Sequence, residues 1–317
     1  MEYSAMNTSF GKSLKLQRED IQIGYLANPL VPGGEMDTSN PENFNAVRIR
    51  LRQDEGSNGS IKMFFARAFG KDKADSEATA TAAFINKIAG FRRPLADDGP
   101  YIPMLPFALD AETWHAAVNG EGPDEWKWDE TANKFVYGSD GVREFNLYPA
   151  REGLGADRGI VNIGTAEYNP QHVARQILFG ISLTDWEFHN VNLAFDENGE
   201  LFLSGKRAIR PNFQYPLYSI LGQGRIIPIF SNAEDVDERQ GRRDDDDDDD
   251  HDQRQGGNVI YTITEWAGVR IIDVQMHGRD KRIIAQAGEV TAAGTVPDTK
   301  PGRSKSKFIS SRVWLAD

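Results

Sequence analysis

Cysteine is absent from the 317 residues. Disulfides, thiolate zinc sites and a cysteine nucleophile are thereby excluded, whereas the compartment is not, because cysteine-free chains suit cytoplasm, periplasm and cell surface alike. No stretch approaches the ~20 consecutive apolar residues that a membrane helix needs. The opening, MEYSAMNTSFGKSLKL, lacks the basic region followed by an apolar run that marks a signal peptide. The five histidines never fall at HxxxH spacing, and HExxH, GxSxG, a Walker A loop and a strand-borne GxGxxG are all missing. A basic face is missing too. The formal charge is −12, which argues against a nucleic-acid partner.

That charge is unevenly spread. Between Glu234 and Arg254 stand twelve acidic residues against four basic ones, a net of −8. Its centre is the run of seven aspartates at 244–250, read as part of a disordered acidic loop at 234–257 between two strands. The hydrophobic share is 39%, with 17 Phe and 6 Trp, enough for a real core. The length suggests two domains.

The segment AVRIRLRQ sets Val47, Ile49 and Leu51 on one side of a strand and Arg48, Arg50 and Arg52 on the other. The apolar side is expected to face inward and the arginine row to be the solvated face of a sheet. DEGSNGS is a turn, IKMFF the returning strand and ADSEATATAAF a further strand. The first strand lies in SLKLQREDIQIGYL, with a turn at residues 18–20. Residues 1–90 thus read as a small antiparallel sheet domain. One face of such a sheet wants a covering helix, and this segment supplies none.

RRPLADDGPYIPMLP is read as a Pro-rich linker over 91–105. Residues 106–317 are expected to form a larger β-rich domain with two or three short helices. DAETWHAAV and NPQHVARQILFG carry helix-start signals at Asp110 and Pro170, and SLTDWEFHN suits a further helical turn. The strand-like runs include RIIPIF, NVIYTITEWAGVRIIDVQMHG, KRIIAQAGEV and KFISSRVWL. The class is α+β, dominated by strands.

Few residues offer chemistry. Asp185, Glu187 and His189 lie close together in TDWEFHN, and an acid–base or metal trio is conceivable there. Trp186 and Phe188 beside them look like packing residues. A hydrolase built from scattered acids and His189 is therefore the alternative reading. Asp244, Asp246, Asp248 and Asp250 are weak metal candidates for a calcium-dependent adhesin, since a defined calcium loop interleaves ligands with a Gly turn and this run does not. No catalytic residue, cofactor site or cofactor is assigned.

The succession EDIQIGYL, NAVRIRL, IKMFFARAFG and ADSEATATAAF resembles the TadG-like (tight adherence) Flp pilus-assembly family, in its long planctomycete-type members. The family pattern DIxxG, NAVRV, LFFaxxxG, vsAxAxA falls on residues 20–24, 45–49, 63–70 and 75–83. MLPFALDAETW, EFNLYP, GIVNIGT, ARQILFG and FISSRVWLAD resemble the C-terminal region of the same members. The resemblance implies a non-enzymatic, exported cell-envelope protein, on the periplasmic or surface face, whose partners are other pilus-assembly or envelope proteins. It also implies an anchor: a membrane helix followed by an Ala-rich helix, expected before residue 1 and absent here. Membrane contact is expected only through that helix.

Overall fold

The computed structural model describes residues 8–9, 12–93, 101–149, 157–164, 168–189, 193–207, 209–236, 258–300 and 306–316. It is dominated by strands, with short helices, as expected for the α+β class. Two compact units are present. The smaller comprises Met1–Asn86, Thr299–Pro301 and Arg312–Asp317, the larger Lys87–Asp298 and Gly302–Ser311.

Numbered in chain order, the strands that build the main sheets are β1 (Ile21–Gly24), β2 (Ala46–Gln53), β3 (Ser76–Ala83), β4 (Phe107–Asp110), β5 (Glu144–Tyr148), β6 (Gly159–Val161), β7 (Leu201–Lys206), β8 (Gly224–Asp235), β9 (Asn258–Gln275), β10 (Arg282–Ala287) and β11 (Trp314–Leu315). Among the described residues the α-helices are α1 (Ala111–Val118), α2 (Pro170–Phe179), α3 (Leu183–His189) and α4 (Gln214–Tyr218).

The smaller unit holds the four-stranded antiparallel sheet β11-β3-β2-β1. The partner returning to β2 is β3 and not the aromatic run IKMFF, of which only Ile61 and Lys62 are in a strand. The arginine row explains the choice. Along β3, residues 77, 79 and 81 are Glu, Thr and Thr, set beside Arg52, Arg50 and Arg48. Arg48 Nε donates to Thr81 Oγ1 at 3.1 Å, and Arg50 pairs with Glu77 at 2.9 Å. Phe64 and Phe65 could offer an arginine no such acceptor.

The same register places the core. Gly24, Ala46 and Ala83 stand side by side across three strands. Their small side chains admit Leu26, Met36 and Ala316, which pack there as a compact cluster. Asn45 closes this end: its Oδ1 accepts from Leu26 N, and its Nδ2 donates to the carbonyls of Leu26 and Phe84. The core therefore lies on the arginine side. Val47, Ile49 and Leu51 do not face inward as their alternation suggested. None of them is buried, and Ile49 is 36% exposed. A strand's alternation names its apolar face but not which face its neighbours cover.

In the larger unit β4, β6, β7, β9 and β8 pair in succession and close on themselves, since β8 also pairs with β4. All these pairings are antiparallel except β4–β8. β10 and β5 extend the sheet from the second half of β9. Tyr261 is fully buried in this ring and donates from its hydroxyl to Asp157 O at 2.7 Å. Gly159 and Gly205 make room for it: a Cβ at either position would fall within 3 Å of the Tyr261 ring or hydroxyl. Trp114 of α1, Val173 and Ile177 of α2 and Leu217 of α4 complete the main core with strand residues such as Ile229 and Ile271.

Two boundaries differ from the sequence reading. Ile102, Met104 and Leu105 are fully buried, so the prolines at 103 and 106 belong to the core of the larger unit and not to a linker. KFISSRVWL divides: Ile309–Ser311 pairs with Val290–Ala292 in the larger unit, whereas β11 joins the smaller. The acidic segment also begins later than residue 234. Glu234 and Asp235 are the last residues of β8, opposite Ile260 and Val259, and residues 237–257 lie outside the described residues. Val236 N donates to Asn258 O at 3.0 Å, so the two ends of that segment are already adjacent.

Two outcomes follow. Ile49→Asp should cost no more than about 1 kcal/mol, the span of strand propensity, whereas Ala46→Asp buries an unpaired charge at a cost of several kcal/mol. Thermal melting of both variants checks this. Replacing residues 237–257 by a five-residue Gly/Ser loop should leave the melting temperature of the larger unit within a few degrees, because shortening a loop between adjacent strand ends adds little closure entropy.

Candidate functional site

Among the described residues, the clearest unpartnered surface is the second face of the small sheet. Ile21 and Ile23 of β1, Val47, Ile49 and Leu51 of β2, Ala78, Ala80 and Ala82 of β3, and Leu315 of β11 share it. Cross-strand pairs Ile21–Ile49–Ala80 and Ile23–Val47–Ala82 run straight across the sheet. None of the nine residues is buried; Ile23 is 52% and Leu315 73% exposed. The charged side chains of β2 and β3 all project from the opposite face. The column of alanines along β3, beside the ridge of Val47, Ile49 and Leu51, makes a shallow uncharged trough. A surface of this kind can associate with another apolar element and cannot perform acid–base chemistry.

The polar residues singled out from the sequence behave differently. Asp185 is almost wholly buried at the start of α3. With Ser182 it forms a reciprocal cap. Asp185 Oδ2 accepts from Ser182 N at 2.6 Å and from Ser182 Oγ at 2.9 Å, and Ser182 Oγ accepts from Asp185 N at 3.4 Å. This is the S-x-x-D capping box, legible in Ser182-Leu183-Thr184-Asp185. Asp185 Oδ1 takes Arg175 Nη2 and lies against His172 Nε2; both come from α2, three residues apart on one face. Burial pushes the Asp185 carboxyl up, but Arg175, the Ser182 N–H, His172 and the Ser182 hydroxyl together hold it below its ordinary value. A carboxylate so fully engaged fixes one helix against another. The backbone of α3 places residues 185 and 189 on one side and 187 away from them, while the side chains of Glu187 and His189 lie outside the described residues. The partners of Asp185 that the sequence reading missed, His172 and Arg175, carried one signal, their i, i+3 spacing on a helix.

A second buried ion pair joins Asp110, the N-cap of α1, to Arg158, which also donates to Asn146 O and Thr113 Oγ1. His115 Nε2 lies 2.6 Å from Glu265 Oε1 on the surface. An open groove of about 510 Å³ is lined in part by Trp126, Tyr137, Glu144, Asp273 and Arg282. Burial pushes the Glu144 carboxyl up, a common mark of catalytic acids. Both its oxygens, however, accept backbone N–H groups, from Trp126 at 3.1 Å and Glu125 at 2.9 Å, and so hold the hairpin entered at Trp126. Asp273 is paired with Arg282 at 2.5 Å. Among the described residues no three His, Asp or Glu side chains converge as a metal site. Asp244, Asp246, Asp248 and Asp250 lie outside the described residues.

Residues 2–82, about a quarter of the chain, match the family described as "Putative Tad-like Flp pilus-assembly". The N-terminal segment is similar to that family. It contains β1, β2 and all of β3 except Ala83, so all but one of the nine apolar residues, Leu315, belong to the Tad-like segment. The motifs quoted from the larger unit lie beyond the match. No curated protein and no solved structure matches the chain. Among the described residues no helix is long and apolar enough to cross a membrane.

The Asp185 cluster has a pH signature. Its folded pKa lies below the ordinary 3.8, so its contribution is fully present above that value. It is lost as pH falls through the folded pKa. Asp185→Asn should lower the melting temperature at pH 7 and flatten its decline as pH falls from about 4 through the folded pKa, where the wild-type carboxylate takes up its proton. Parallel melting curves of the two proteins from pH 7 to pH 2 would contradict the assignment.

Proposed function

We propose that the protein works by protein–protein contact in a Tad/Flp-type pilus-assembly or adherence system of the cell envelope, and performs no catalysis. The observation that carries this reading is the uncovered apolar face of the sheet in the segment that matches the Tad-like family. Its occupant is an apolar helix of another pilus-assembly protein. The alanine column is narrow and low, the flanking ridge is aliphatic, and no charge on the face would have to be desolvated. The internal engagement of Asp185, Asp110, Glu144 and Asp273 supports the non-catalytic part of the reading.

The test is a double variant, Ile49→Glu with Ala80→Glu, in the producing strain. Because both positions are exposed, the purified protein should melt within a few degrees of wild type. Pilus number and surface attachment should fall to the level of a strain lacking the gene. Normal piliation by the folded double variant would refute the proposal.

A further inference from the structure

A second exposed apolar feature of the smaller unit is of another kind. Ile61 and Lys62 pair with Ala74 and Lys73 in a two-stranded ribbon. The connection between them carries Met63, Phe64, Phe65 and Phe69, with a short 3-10 turn at Ala66–Phe69. Phe64 is 83%, Phe65 85% and Phe69 87% exposed. These three rings are the most exposed large hydrophobic side chains among the described residues. Phe64 and Phe65 meet edge to face at 5.3 Å, so they shelter little of each other. Met63 N donates to Asp72 O at 3.0 Å, which fixes the base of the tip and leaves the rings beyond it.

The charge around these rings is opposite to that of the chain. Residues 61–73 contain Lys62, Arg67, Lys71 and Lys73 against Asp72 alone, a net of +3 in a protein of −12. Lys62 and Lys73 stand directly opposite each other across the ribbon. Like charges so placed repel. Lys73 reaches Glu55 at 3.1 Å, an exposed pair that screens part of the repulsion.

We propose that the hairpin tip 63–69 is a membrane-interface contact that docks the smaller unit onto an anionic lipid surface. Aromatic rings favour the boundary between headgroups and acyl chains, and flanking lysines favour anionic headgroups at the same depth. Charge complementarity selects this occupant: an apolar protein groove would accept the rings but leave the net positive charge of residues 61–73 unmet, whereas a layer of anionic headgroups neutralises it. Interfacial insertion of this sort is shallow and reversible. It adds a lipid contact made by the described residues themselves, independent of any membrane helix. The proposal does not rest on the pilus reading, because it concerns a different surface and is tested without other proteins.

The experiment is co-sedimentation of the purified full chain with vesicles of phosphatidylcholine alone and of phosphatidylcholine with phosphatidylglycerol in equal parts. The chain should pellet with the anionic vesicles and less so with the neutral ones, and added salt should release it. The triple variant Phe64→Ser, Phe65→Ser, Phe69→Ser should keep its melting temperature and lose binding by about tenfold or more. Lys62→Gln with Lys71→Gln should abolish the preference for anionic vesicles. Equal partitioning of wild type and triple variant, or no vesicle binding by the wild type at low salt, would overturn the proposal. So would a wild-type chain that ignores vesicles but self-associates in sedimentation equilibrium and is made monomeric by the triple variant; the tip would then belong to a second copy.

Discussion

The register that sets Ala46 between Gly24 and Ala83 governs the smaller unit. Those three small residues let Leu26, Met36 and Ala316 approach one face of the sheet, and a cluster of buried side chains forms there. The arginines of β2 share that face and are satisfied on it by Thr81, Glu77 and Asp20. Once the core is on that side, the aliphatic residues of β1 and β2 and the alanines of β3 are committed to the other. A strand register admits no compromise, because shifting it by one residue would exchange both faces at once. The uncovered apolar surface is thus a consequence of how the sheet is held together, and it lies in the segment that carries the Tad-like match.

The larger unit shows the opposite economy. Its ring of β4, β6, β7, β9 and β8 is filled by apolar side chains, and two of its buried aspartates sit in engaged sets. Asp110 with Arg158 holds the start of α1 to β5. Asp185 with Ser182, Arg175 and His172 holds α3 to α2. Both aspartates are pulled below their ordinary pKa despite their burial, which fits groups whose charge is used for attachment. A general acid or base needs a proton position left open to a substrate.

Much of this was legible in the sequence. The strands at 46–53 and 76–83 and the helices opened by Asp110 and Pro170 follow from alternation and capping chemistry. Alternation also showed that β2 has an apolar side. It could not show which side was covered, because that was settled by Gly24 and Ala83, which are distant in sequence and unremarkable by themselves. The aromatic run at 63–65 looked like a strand by composition, but its pairing was decided by side-chain acceptors on β3. The prolines at 103 and 106 looked like a linker, although isolated bridges such as Met104 to Ile226 bury the chain between them. The capping box at Ser182 and Asp185 was present in the sequence but overshadowed by the nearby His189.

The absence of cysteine makes the central claim directly measurable. Ile49→Cys and Ala83→Cys variants of the otherwise cysteine-free chain can be labelled with a maleimide, first as purified protein and then in intact cells or envelopes that assemble pili. The account holds that the apolar face is open in the isolated chain and covered in the assembly. Ile49→Cys should therefore label fast when purified and slowly in assembled envelopes, while Ala83→Cys should label slowly in both. Equally fast labelling of Ile49→Cys in the two settings would contradict it.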